Sequence, residues 1–153
     1  MYKFIASLLI ITISFFVITC ARSNKNSEVS GNIIEIRERV FATQINSIYL
    51  NTRDYLGRTI KLEGIFKTGQ VDEDNLYYVL RYSLDDCCGL GTSGFEVRWA
   101  QTEPETAFYP AEDSWVEVTG VLKQYESGFN KFLYLELSSL IVLDRRGAEY
   151  VIR

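Results

Sequence analysis

The sequence predicts a mainly β domain: a five-stranded barrel or half-barrel preceded by a strand and one amphipathic helix. Three observations carry this. From Arg58 onward apolar residues recur at alternate positions in five separate runs, two of those runs share a glycine at the same place, and a stretch holding both prolines separates the third run from the fourth.

Residues 33–40, IIEIRERV, are apolar at 34, 36 and 40 and read as a strand. Phe41, Ile45, Ile48, Tyr49, Thr52 and Leu56 then recur at helical spacing and Gly57 supplies a C-terminal stop, so residues 41–55 are expected to form an amphipathic helix. After Gly57 the period becomes two. RTIKLEGIFK (58–67) sets Ile60, Leu62, Gly64 and Phe66 on one face, and LYYVLRYSL (76–84) sets Tyr78, Leu80, Tyr82 and Leu84 on one face. FEVRW (95–99) alternates Phe95, Val97 and Trp99 against Glu96 and Arg98. SWVEVTGVLKQY (114–125) alternates Val116, Val118, Gly120 and Leu122, and KFLYLELSSLIVL (131–143) is a long final strand. GLGTSG (89–94) has the glycine content of a phosphate loop without the following helix or lysine, and is expected to be a hairpin connection. Residues 100–114 form a long connection with room for a short helical turn.

KLEGIFK (61–67) and EVTGVLK (117–123) carry apolar residues on either side of a glycine in the same register, followed by a lysine. A glycine inside a strand marks a bulge, a sharp bend or the close approach of another backbone. In a small closed barrel, long strands must bend to join both halves of the sheet. Five antiparallel strands, the first and fourth bent at a glycine and the third and fourth joined by a long connection, describe an OB-type barrel. A half-barrel or sandwich of another topology is the alternative that the same pattern leaves open.

Ahead of the domain, Met1 to Thr19 carries one early cation, Lys3, and then FIASLLIITISFFVIT, too short to span a bilayer comfortably as a helix. It reads as an export signal. Cys20, preceded by VIT and followed by the polar ARSNKNSEVSGN, resembles the lipobox of bacterial lipoproteins, in which the leader is cut before the cysteine and the cysteine is lipidated. The expected organisation is a signal over 1–19, a flexible tether over 20–32 and one OB-like domain over 33–153. Lipidation at Cys20 then places a membrane-anchored lipoprotein on the extracytoplasmic side of the bacterial cell envelope. An uncleaved N-terminal anchor is the alternative, and it leaves the remaining residues on the same side.

The chain has a formal net charge of −4 and no histidine. An acidic chain without a basic stripe has no electrostatic means of holding phosphate backbones, so nucleic acid is not expected as a partner. The missing histidine removes the commonest general base and metal ligand. No catalytic constellation stands out, and the domain is expected to bind something rather than transform it.

The runs YLGRTIKLEGIFKTG, YYVLRYSLDDCCGLG, SWVEVTGVLKQY and LYLELSSLIVLD, with the lead-in IIEIRERVFATQINSIY, resemble the C-terminal extracytoplasmic domain of YcgQ-like bacterial membrane proteins. The most specific element is the arginine–aromatic strand running into paired cysteines: Arg81, Tyr82, Cys87 and Cys88. The resemblance implies an OB-like domain and association with a membrane permease or another envelope protein. This chain departs from it in carrying a lipoprotein-like leader where the family has membrane helices. It also has DD before and GLG after the cysteines.

With Cys20 consumed by lipid, Cys87 and Cys88 remain. Adjacent α-carbons sit about 3.8 Å apart, below the roughly 4.4–6.8 Å span of ordinary disulfides, so a bond between them would be strained. A zinc or copper site would draw on Cys87, Cys88, Asp85 and Asp86, and a closed zinc site wants about four ligands. Three readings stand: structural thiols on opposite faces of a strand end, a redox-sensing vicinal pair, and a metal site. No other cofactor is expected.

Overall fold

The structure is a computed structural model and describes residues 33–71, 74–85, 89–100 and 109–152. In chain order the elements are β1 (Ile34–Ile36), a 3-10 turn (Glu38–Val40), α1 (Phe41–Leu50), α2 (Thr52–Tyr55), β2 (Thr59–Val71), β3 (Asp74–Asp85), β4 (Gly89–Trp99), β5 (Trp115–Ser127), β6 (Asn130–Val142) and β7 (Tyr150–Ile152).

Strands β2 to β6 close into a barrel. The pairs β2–β3, β3–β4, β5–β6 and β2–β5 are antiparallel, and β4–β6 is parallel, so each of the five strands has a neighbour on both sides. This is the OB-like barrel that the sequence predicts, with one parallel pair where the prediction has five antiparallel strands. The long β4–β5 connection makes that possible, because it returns the chain to the far side of β6.

The two look-alike strands are neighbours, and their glycines serve the bends. Residues 59–65 of β2 pair with β5 and residues 65–71 pair with β3, the switch falling at Ile65 beside Gly64. A Cβ on Gly64 would lie 2.8 Å from the Leu80 carbonyl oxygen. On β5 a register shift falls between Thr119 and Gly120, and a Cβ on Gly120 would lie 2.7 Å from the Glu136 carbonyl oxygen. Gly94 of β4 presses on β3 from the other side: its Cβ would meet the Leu80 Cα at 2.6 Å. The Leu80 backbone therefore threads between two glycines, at the level where β2 and β3 part.

The opening left by that parting is filled by segments that flank the barrel in sequence. β1 pairs parallel with β2 at Ile60–Leu62, and β7 pairs parallel with β3 at Tyr82–Leu84. The core combines Ile60, Leu62 and Phe66 of β2 and Val116, Val118 and Leu122 of β5 with Phe41, Ala42, Ile45 and Ile48 of α1.

Several local expectations are corrected. The strand over 33–40 shortens to β1, because Glu38 turns aside to bond Arg81 and the backbone of Ala148. The single helix over 41–55 breaks at Asn51, whose backbone leaves helical values while its Nδ2 donates to the Ser47 carbonyl oxygen (3.0 Å). Such side-chain bonds compete with the helical ladder. GLGTSG is not a connection but the first half of β4, paired residue by residue with β3. Tyr78, Leu80, Tyr82 and Leu84 do share a face, yet it is the outer one, and Val79, Arg81 and Ser83 point inward and are buried. The short β7 has no counterpart among the predicted strands.

Candidate binding cleft

β4 and β6 pair only from Glu96–Tyr134 onward. Before that level they diverge, and a cleft of about 580 Å³ opens over the outer face of β3 and β4. Tyr49 of α1, Leu76, Tyr78 and Leu80 of β3, Glu96 of β4, and Tyr125, Lys131 and Phe132 of the β5–β6 hairpin line it. Strand alternation explains the set: Tyr78 pairs with Glu96, Glu96 with Tyr134 and Tyr125 with Phe132, and cross-strand partners share a face.

Glu96 organises the cleft. It is 6% exposed and its carboxylate is fully engaged. The Tyr125 hydroxyl donates to one oxygen at 2.8 Å and Arg98 Nε to the other at 2.6 Å. A buried carboxylate requires such charge-assisted bonds to offset its lost hydration. The Arg98 guanidinium stands 4.0 Å over the Tyr125 ring and 4.6 Å over the Tyr134 ring, and Tyr125 stacks on Phe132 at 5.4 Å. Tyr49 plugs the gap between β4 and β6: its ring stacks on Phe95 at 5.5 Å and its hydroxyl donates to the Gly94 carbonyl oxygen at 3.2 Å.

Three tyrosines around Glu96 are harder to ionise than usual. Desolvation and then the Glu96 charge push Tyr49 up to about 12, although part of its ring remains exposed. The same two causes raise Tyr78, and desolvation followed by the Glu96 hydrogen bond raises Tyr125. The cleft presents ring faces and tyrosine hydroxyls around one carboxylate paired with Arg98, an arrangement suited to holding a ligand by stacking and hydrogen bonds.

A second cluster is structural. Arg81 of β3, 2% exposed, donates from Nε to the Glu63 carbonyl oxygen (3.0 Å), and from Nη1 to the Ala148 carbonyl oxygen (3.0 Å) and Glu38 Oε2 (3.2 Å). Its guanidinium lies 4.7 Å from the Phe41 ring centroid and 4.8 Å from that of Trp115. It clamps β2, β3, the first turn and the segment before β7 together.

Of the residues the sequence singles out, Asp85 closes the β3–β4 ladder opposite Gly89. Asp86, Cys87, Cys88 and Cys20 lie outside the described residues. Sequence reasoning missed the Glu96–Arg98–Tyr125 network. Its signal is present in FEVRW, where an acid and an arginine two apart share a strand face, but their aromatic partners come from a strand almost thirty residues on.

Fold and cleft together define an OB-type barrel module with an aromatic groove on its outer sheet. The chain belongs to the DUF1980 C-terminal domain family, whose family model matches residues 18–153. A comparison with curated proteins finds no match.

Proposed function

We propose that this protein is a lipid-anchored, extracytoplasmic binding module that holds an extended, uncharged polymer of the oligosaccharide class along the cleft. The observation that carries it is the groove itself: Tyr49, Tyr78, Tyr125 and Phe132 ranged around the neutralised Glu96 on the β3–β4 face. OB barrels use this face and its flanking loops for oligonucleotides and oligosaccharides. Nucleic acid is disfavoured here, since Arg98 is tied to Glu96 and the chain is net negative. The Cys20 motif supports the anchoring, and the likeness to YcgQ-like domains supports placement beside a membrane permease.

The test is binding of the full chain to cell-envelope polysaccharides, read by affinity electrophoresis or calorimetry. Tyr78→Ala and Phe132→Ala should each weaken binding about 3- to 10-fold, matching the roughly 0.5–1.5 kcal/mol of a stacking contact. Undiminished binding by the double variant would overturn the reading.

A further inference from the structure

Where β4 and β6 part they form a fork, and each turns an unpaired backbone edge into it. On β4 the orientation follows from β3, whose Tyr82 N–H donates to the Glu149 carbonyl oxygen at 2.8 Å, on the β7 side. Thr92 stands opposite Tyr82 in the antiparallel ladder, so the Thr92 N–H and C=O point the other way, into the fork. Gly94 has the same parity, and its carbonyl oxygen accepts the Tyr49 hydroxyl at 3.2 Å. On β6, the turn of Gly128 and Phe129 makes Ser127–Asn130 the pair that exchanges hydrogen bonds with β5, so Lys131 directs its backbone away from β5. Thr92 and Lys131 both line the cleft, and both precede Glu96–Tyr134, the first pair of the β4–β6 ladder. Among the described residues no strand pairs with either edge at this level. Natural sheet edges are blunted by charges or prolines, yet residues 89–95, GLGTSGF, carry neither.

The shape of the fork selects its occupant. Its walls stand at the paired spacing of about 4.8 Å at Glu96–Tyr134 and diverge from there, so their separation passes through about twice that spacing, where one flat unit fits between two edges. A trans amide is such a unit. Its N–H and C=O point in opposite directions, so it donates to one edge and accepts from the other. Because the walls diverge, the match holds at one level only. The fork therefore suits a single amide rather than a peptide strand, which needs a continuous ladder. Tyr78 and Phe132 line the same cleft and offer their faces to flat rings. A polymer of sugar rings, each bearing one uncharged amide, meets both demands.

We propose that the polymer held in the cleft is built of N-acetylated amino sugars, and that the backbone edges at Thr92 and Lys131 read its acetamido group. This inference deepens the oligosaccharide reading above and rests on it. Acetylation also removes the amine charge, in keeping with a cleft whose buried carboxylate is already paired with Arg98.

The full chain is titrated calorimetrically with two β-1,4-linked hexamers, one of N-acetylglucosamine and one of glucose, which differ only in an acetamido group for a hydroxyl. The acetylated hexamer should bind at least about 10-fold tighter, the size of two added hydrogen bonds. Thr92→Pro puts a ring carbon in place of the fork-facing N–H and leaves the β3 ladder intact, as edge positions allow. It should bring the two affinities within about 2-fold of each other, whereas Thr92→Ala, which keeps the backbone, should preserve the preference. A preference that survives in folded Thr92→Pro protein refutes the edge assignment. If that variant does not fold, the amide resonances of Thr92 and Lys131 in the parent decide: they should shift with the acetylated hexamer alone, and resonances that stay still or move equally with both refute it. Equal affinity of the parent for the two hexamers refutes the acetamido reading and leaves the oligosaccharide reading standing, as does binding of envelope polysaccharides without either hexamer. No binding of any saccharide refutes both.

Discussion

Arg81 carries its charge into the barrel wall and is held there by two carbonyl oxygens, one carboxylate and two ring faces. Removing the guanidinium takes away the donor to the Glu63 and Ala148 carbonyl oxygens, and each acceptor left buried and unsatisfied costs about 1–3 kcal/mol, so Arg81→Met should lower the urea midpoint markedly. Arg81→Lys should rescue little, because a compact ammonium cannot reach acceptors placed around a guanidinium fork. Glu38 is half-exposed, and Glu38→Gln should cost only about 1 kcal/mol. The pH dependence has a definite sign. The Ala148 N–H and then Arg81 hold Glu38 below its ordinary 4.5, so its contribution is complete above about pH 4.5 and is lost as pH falls through the lower folded value. Urea titrations between pH 3 and 6 should show Glu38→Gln with a flatter acid limb than the parent. Burial of Arg81 is not legible in LYYVLRYSL. Both parities of that run are apolar, and the parity without the arginine and serine looks the more hydrophobic; the rings that admit Arg81 lie on α1 and β5.

Strands in this barrel are shaped by where a side chain is missing. The alternation of β2 and β5 and their two matching glycines are readable in the sequence, because a glycine at the same point of two similar strands marks a bend that both must make. Gly94 is not readable in this way, since three glycines in six residues look like a turn until β3 is laid beside them. Gly94→Ala should destabilise by about 1–3 kcal/mol, towards the upper end, because its Cβ would strike the backbone of Leu80 rather than a movable side chain. Gly91→Ala should cost less, since its nearest contact would be the Ser83 hydroxyl at 3.1 Å, with backbone no nearer than 3.8 Å. Thermal unfolding of the two variants side by side measures the difference. The break at Asn51 has the same character: helical spacing continues through it in sequence, and only the local side-chain bonds end the helix.

At the scale of the whole molecule, the barrel is legible in the sequence and the cleft only in part. The strand that carries Tyr78 and the alternation of Glu96 with Arg98 can both be read, but the groove exists because β4 and β6 diverge, and a parallel pairing between strands so far apart leaves no local signal. The address is the remaining large-scale expectation. Cys20→Ala should abolish lipid labelling and block signal processing at this site, and mass spectrometry of the mature N-terminus checks both. An unmodified peptide beginning upstream of Cys20 in the parent protein would overturn the assignment.

The opening between β2 and β3 has a consequence for the order in which the molecule can be assembled. Its two fillers flank the barrel on opposite sides in sequence, and the Glu38–Ala148 bond that joins them spans 110 residues. A chain that is delivered from its N-terminal side can form β1, the helices and most of the barrel, yet Arg81 and Ser83 stay open to water until Ala148 and β7 arrive. Closure of that opening therefore depends on segments from both flanks of the barrel, and on the β3 side it rests on a strand only three residues long.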